Sequence, residues 1–414
     1  MENSNKQRHI DEKKYILPNI IFLDNVPNKK YGGLIQTLYN LFDGYPPENL
    51  YALVHEYQVP EESSLNCIQI KLDDTPLNIF KWRLLARFSP FVNKLNAVLR
   101  EILGVKIDKS KLPPEGLILV CTSNINKLHA AKIIHKKYNY PLLTYFMDDW
   151  IADSTLEWWG GNANELAKYA LDNSSGRLMI SEVLNESLIE RYSLQSKPTY
   201  IVHNPVNVKN NFQKPWSVAD LKTIKIIYAG SIWDMHLDAL ILVANAVDRL
   251  NNEPGKRYEL HIYSHPSFWN NNKSKLDKNG VVFGGFVPYD DLDDKLSKGT
   301  LLLVVSSFLK QFEAFSRSSV QTKLTDYMKI GVPILSVGPV YGACNAFVKK
   351  WQCGYVWENE NINGLMDYLR SVENDDDRYQ FFAKNAYLQA SQHFSKPVVQ
   401  QKLYEFITSI YHHK

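Results

Sequence analysis

The sequence has little that would tie it to a disulfide framework, a membrane span or a nucleic acid. Four cysteines occur in 414 residues: Cys67, Cys121, Cys344 and Cys353. None stands in a C-x-x-C pair, so neither a zinc knuckle nor a redox motif is expected, and a reduced cytoplasmic setting is. No uninterrupted apolar run reaches the ~20 residues of a membrane-spanning helix. Met1–Lys14 is polar and lacks the apolar core of a secretion signal. Neither sign of charge dominates. Lys and Arg number 47 against 44 Asp and Glu, a formal net charge of +3, and nothing in that balance asks for a nucleic acid. There is no short-period repeat and no low-complexity tract.

What is present is alternation. Short apolar runs take turns with helix-length amphipathic segments, the pattern of βαβα units on parallel sheets. In the first half the expected strands are Asn19–Leu23, Leu50–His55, Gly116–Val120, Pro141–Phe146, Arg177–Ile180 and Thr199–Val202. Helices are expected near Leu34–Phe42 and Lys127–Lys137. A polar connector follows over Asn207–Thr223, and then the pattern restarts. Strands are expected at Ile224–Ala229, Tyr258–Tyr263, Gly280–Phe283, Thr300–Val305 and Val332–Val337, with terminal helices near Asp376–His393 and Val398–Tyr411. The length exceeds one ordinary core. The fold class expected is α/β with two Rossmann-like, doubly wound domains, 1–208 and 209–395, and a closing helix in 396–414.

In such sheets ligands sit beyond the carboxyl ends of the strands. In the second half, Gly230-Ser231 follows a strand and precedes a helix, where backbone can approach a phosphate. The same pair is also an ordinary turn. Ser319–Val337 opens with hydroxyl residues at a helix start, carries Lys323 and Asp326 three apart on one face, and stops at Gly331. A cation for a diphosphate and a carboxylate for sugar hydroxyls fit that spacing, as does a plain surface ion pair. In the first half, Tyr31-Gly32-Gly33 follows the first strand. Phe146-Met147-Asp148-Asp149 follows another, where a carboxylate can position a hydroxyl or act as base, or merely cap a helix. Thr122-Ser123-Asn124 has the same two readings. Lys71–Lys111 holds nine Lys/Arg against four Asp/Glu. Its core, Phe80–Phe88, mixes cations with large apolar residues. A basic amphipathic helix lies on an anionic bilayer, so 77–104 is either a peripheral membrane contact or a packed helix with a basic rim.

Lys323, Asp326, Tyr327, Met328, Gly331 and Pro333 resemble the K-x-x-E-Y-M-A-x-G-x-P helix of GT-B glycosyltransferases, especially glycosyltransferase family 4 and related surface-polysaccharide enzymes. Lys225–Ile232 resembles that family's opening strand and Gly loop. Ile201-Val-His-Asn-Pro-Val looks like its pre-linker phrase, and Gly285-Phe-Val-Pro its segment near the nucleotide base. Asp148 aligns with the acid of the family's His-Asp pair, with Met147 in place of the His. Two departures stand out: Ser318 occupies the position of a frequent Glu, and no Arg or Lys follows the Gly loop, which leaves Lys323 alone or assisted by Arg317.

The resemblance implies GT-B architecture, with two domains facing a central cleft. It implies a nucleotide-sugar donor and a glycan or lipid-linked glycan acceptor, in polysaccharide biosynthesis. Gly230, Ser231, Ser318, Ser319, Thr322, Lys323 and Asp326 are the implied donor residues. Lys323 and Asp148 are the implied catalytic ones, and Gly32, Gly33 and Asp149 fall on the acceptor side. No metal or other cofactor is expected, and anomeric retention is. The location expected is cytoplasmic, with at most peripheral contact on the inner face of the membrane. Two other readings share these features: a sugar-nucleotide 2-epimerase, and a non-catalytic nucleotide- or carbohydrate-binding subunit.

Overall fold

The computed structural model describes residues 17–23, 26–30, 33–59, 61–73, 89–121, 124–152, 163–209, 212 and 217–412. The apolar runs condense into two separate sheets. The first contains β1 (Ile20–Leu23), β2 (Leu50–Val54), β3 (Ile68–Asp73), β4 (Lys106–Ile107), β5 (Leu117–Val120), β6 (Leu142–Phe146), β7 (Ser174–Met179) and β8 (Thr199–Ile201), in the order β4-β3-β2-β1-β5-β6-β7-β8. The second contains β9 (Thr223–Ala229), β10 (Arg257–Tyr263), β11 (Val281–Gly285), β12 (Leu301–Val305), β13 (Ile334–Val337) and β14 (Gly354–Trp357), in the order β11-β10-β9-β12-β13-β14. Every pairing is parallel except β3 with β4.

Sequence dictates this directly in the central strands. β1 reads IIFL, β5 LILV and β12 LLLVV, and every residue in them is buried. Continuous apolar runs suit parallel strands covered by helices on both faces. β3, β4 and β14 stand where the sequence alone marked no strand. β3 reads IQIKLD, with Ile70 and Leu72 buried and Lys71 and Asp73 exposed, the alternation of a strand with one wet face.

The helices that matter below are α1 (Leu34–Phe42), α2 (Ser89–Leu103), α3 (Ile125–Tyr138), α4 (Glu182–Tyr192), α5 (Asp234–Leu250), α6 (Tyr289–Leu296), α7 (Glu313–Ser318), α8 (Lys323–Ile330), α9 (Asp376–Gln389) and α10 (Lys396–His412). The strand order reverses direction at β1/β5 in one sheet and at β9/β12 in the other. These are the switch points where crevices open at the carboxyl ends.

The chain crosses between the domains twice, and the two crossings are hydrogen-bonded to each other. Val206 N donates to Phe394 O at 2.9 Å, and Lys396 N to Val206 O at 2.9 Å. After the second crossing α10 packs on the first domain. Leu403 and Ile407 are fully buried in one cluster with Leu41 and Phe42, a burial worth about 1.5–3 kcal/mol per side chain. Gly176 on β7 makes room for this helix, since an added Cβ would lie 2.9 Å from Ile410 Cδ1. Lys396 pairs with Asp43 at 2.6 Å, and Tyr404 donates to Leu41 O at 3.0 Å.

Candidate active site

A cavity of about 600 Å³ lies between the two switch points. The first domain contributes Lys30, Gly33, Leu34, Gln36, Met147 and Asp148. The second contributes the loops after β9, β10, β11 and β12 and the start of α8.

Among the helices that begin at this cavity are α1 after Gly33, α5 after Trp233 and α8 after Thr322. None has a side-chain cap, so each presents first-turn N–H groups and the positive end of its dipole to whatever occupies the space. Gly33 has φ 69, a left-handed conformation that suits glycine. Gly32 lies outside the described residues.

Lys323 is the charge at the centre. Its ammonium is buried without a hydrogen-bond partner, 4.1 Å from the centroid of the Tyr228 ring. Burial lowers its pKa to about 8. Gly230 (φ 137) leaves the space it needs, since a Cβ there would stand 2.9 Å from Lys323 Nζ. A cation removed from water and left unpaired is costly unless an anion joins it. His236, at the start of α5, brings no second charge, because burial and the nearby Lys323 push its pKa down to about 3. Ser231 also lines the cavity, and its carbonyl accepts the Tyr228 hydroxyl at 2.7 Å.

Lys323 and Asp326 do not pair with each other as a surface ion pair would. Asp326 Oδ1 accepts from the Tyr289 hydroxyl at 2.7 Å and faces Lys329 Nζ at 3.6 Å, while Oδ2 accepts from Asn204 Nδ2 at 3.4 Å. Lys329 in turn pairs with Asp293 at 2.9 Å. Burial raises the Asp326 pKa, and Lys329 and the Tyr289 hydrogen bond oppose that rise.

On the opposite wall, Asp148 opens onto the cavity at the end of β6, crowded by both domains. Desolvation raises its pKa to about 6, with the Ser319 hydroxyl acting against that rise and Asp149 adding to it. Ser319 and Thr322 also line the cavity.

Three expectations are corrected. Asp149 is not an acceptor-side group: its side chain is buried and makes a bidentate pair with Arg191, at 2.8 and 2.5 Å. Adjacent residues diverge at a strand end, so only one of the two acids reaches the cavity. Ser318 does not line the cavity either. Its hydroxyl is tied to Ala314 O at 2.6 Å within α7, and its carbonyl accepts at 2.6 Å the hydroxyl of Ser181, the N-cap of α4. Arg317 gives Lys323 no help, because it pairs with Glu313 at 2.7 Å and covers the Tyr341 ring. At the neighbouring loop, Asn124 caps α3 by accepting from Asn126 N at 3.0 Å. Thr122 and Ser123 lie outside the described residues.

The sequence reading missed Lys30, Gln36, His236, Ser264 and Gln321, all of which line the cavity. Gln36 Nε2, Ser264 Oγ and Gln321 Oε1 are buried without a partner, which suits a ligand rich in hydroxyl, amide or phosphate groups. Position relative to strand ends was the available signal: Ser264 directly follows β10, and Gln36 sits in the first turn of α1.

Two facing α/β domains, with an anion-attracting cavity at their switch points, define a GT-B chain. Residues 270–389 match the family model for glycosyl transferases group 1, and the fold is that of the GT-B class. Among solved structures, Anabaena HepE in complex with UDP is 14% identical, with 94% of this chain and all of that one covered, at a TM-score of 0.65. Sucrose-phosphate synthase of Thermosynechococcus elongatus is 14% identical over 96% of this chain and all of that one, at 0.66. A glycosyltransferase of Rickettsia africae is 11% identical over 96% and all of its length, at 0.63. At these identities the likeness is one of fold. Comparison with curated proteins gives no match.

Proposed function

We propose that the chain transfers a sugar from a nucleotide-sugar donor to a hydroxyl of a glycan or lipid-linked glycan in polysaccharide biosynthesis. The observation that carries this reading is the convergence of three uncapped helix starts and the unpaired Lys323 on one interdomain cavity. Such a set neutralises a leaving diphosphate without a metal ion. Gly230 and Ser231 let the diphosphate approach the backbone. Ser319 and Thr322 offer hydroxyls, and Asp326 accepts from ribose hydroxyls.

In the transfer step the acceptor oxygen bonds to the anomeric carbon as the bond to the diphosphate breaks, and the electron pair leaves on the phosphate. Asp148, ionised above its pKa of about 6, accepts the acceptor's hydroxyl hydrogen bond and orients it, and the hydroxyl proton passes to the departing phosphate oxygen. Gly33 borders the acceptor. Retention of the anomeric configuration follows from the family resemblance, and the anomeric proton coupling of the product checks it. Closure of the domains over the donor excludes water.

Among the described residues no helix is long and apolar enough to cross a membrane. Peripheral contact through 77–104 is part of the proposal. The C-terminal part of α2 exposes Leu95, Val98, Ile102 and Leu103, and 74–88 lies outside the described residues. Co-sedimentation with vesicles should then rise with anionic lipid content; binding indifferent to that content rejects the contact.

The deciding experiment is nucleotide release from a panel of UDP, GDP, dTDP and CMP sugars, with and without glycan acceptors. Release from one donor, stimulated by acceptor and abolished by Lys323→Ala in a folded protein, is the expected result. Tight nucleotide binding with no release points to a binding subunit. An epimerised donor points to the epimerase, a reading that gains from His236 and His265 on the cavity wall.

A further inference from the structure

Asn204 lies just past β8, on the first crossing between the domains, and is 3% exposed. Its side-chain oxygen accepts from Asn40 Nδ2 of α1 at 3.1 Å. Its Nδ2 donates to Asp326 Oδ2 at 3.4 Å, and its carbonyl accepts the Thr325 hydroxyl at 2.8 Å. One buried side chain thus joins the first domain to a carboxylate of the cavity. Its neighbours on the crossing are held to the second domain and to the return path. His203 packs edge-on to Phe347 and Phe394, and Val206 bonds to Phe394 and Lys396. Asn40 also binds the second crossing's helix, since its carbonyl accepts Gln400 Nε2 at 2.9 Å. Both paths of chain between the domains therefore meet at Asn40 and Asn204.

The two oxygens of Asp326 are unequal. Oδ1 holds a short bond from Tyr289, whereas the Asn204 contact on Oδ2 sits at the long edge of hydrogen bonding. A ligand hydroxyl arriving at ordinary distance is the better partner for Oδ2. We propose that Asn204 is a positioning residue that orients Asp326 and carries its occupancy to the interdomain hinge. A ligand hydroxyl takes over Oδ2 from the Asn204 amide, and the freed crossing moves with α1, through Asn40, as the cleft closes. The inference rests on the reading that Asp326 receives a donor hydroxyl.

The test uses the full chain with UDP, GDP and dTDP in turn, following affinity by calorimetry and compaction by small-angle scattering. The wild-type radius of gyration should fall on saturation with the nucleotide that binds. Asn204→Ala should remove that fall and leave affinity unchanged or up to about tenfold tighter, because the ligand hydroxyl then has no amide to displace from Oδ2. Asn40→Ala should remove the fall with affinity kept within about twofold, since it spares the Asp326 contact. Because it leaves Asn204 in place, it keeps the test open should Asn204→Ala fail to fold. A merely structural role lowers melting temperature in both variants while nucleotide compacts them as it does wild type, and that result overturns the inference. So does a wild type that binds nucleotide without compacting. A wild type that binds none of the three overturns the proposed function as well, which separates the two failures.

Discussion

The two walls of the cavity come from the same architecture and carry different chemistry. The second-domain wall has Lys323, a cation with no carboxylate bonded to it, beside two helix starts. The first-domain wall has Asp148, a carboxylate whose pKa is raised to about 6. An anion lowers the energy of the first arrangement, and a hydroxyl suits the second. The same contrast appears within one wall. Asp148 and Asp149 are adjacent in sequence, yet one is open to the cavity and the other is locked to Arg191. Charge type alone does not define a site; the absence of an internal partner does.

Lys323→Met breaks this contrast most severely. Donor turnover should fall about a thousandfold, as when a preorganised electrostatic group is lost, measured as nucleotide release. Its folded pKa, about 8, lies below the ordinary 10.5, so the charged form is penalised in the folded protein below pH 8 and the penalty fades between 8 and 10.5. The variant should therefore melt higher than wild type at pH 7, with a gap that closes above pH 10. In wild type, nucleotide affinity should be flat below pH 8 and decline above it.

Asp148→Asn acts on the other wall. Turnover should drop about a hundredfold, and the rise in wild-type rate through pH 6 should disappear. Here the folded pKa, about 6, lies above the ordinary 3.8, so wild-type stability is lost as pH rises through that window. The substitution should raise the melting temperature at pH 7.5 and leave it nearly unchanged at pH 4. An equal shift at both values contradicts an ionising carboxylate with a raised pKa.

Gly230→Ala sharpens the comparison at the boundary of the cation. It combines an unfavourable positive φ with crowding of Lys323. Nucleotide affinity should weaken about tenfold, with a loss of about 1–3 kcal/mol in stability by urea titration. Asp149→Ala is expected to touch activity least. It breaks a buried pair and should cost about 3 kcal/mol of stability, yet donor KM per folded molecule should stay within about twofold. A larger change in KM would return Asp149 to the site.

Much of the fold was legible because its signals are local. The runs IIFL, LILV and LLLVV, each followed by a helix-length segment, specify buried parallel strands wherever they fall. β3 was not, because an alternating stretch with one wet face is weak in sequence and gains its identity from pairing with β2. At the site, Gly230 and Asp148 were placed by following a strand and Ser319 and Lys323 by a helix start, and the cavity holds all four. Gln36 and His236 were not seen, since they come from different domains and line one cavity only when the domains face each other.

The sequence by itself determined two α/β units, a glycine loop after β9 and a cation three residues before an acid on one helix. Those follow from the local physics of periodicity, turn conformation and helix spacing. Only the tertiary structure decided which charges stay unpartnered. It gave Asp149 to Arg191, Arg317 to Glu313 and Asp326 to Tyr289 and Lys329, and left Lys323 alone. The reason is physical: a charge's partner is set by distance in space, and these partners lie as much as 42 positions apart in the chain.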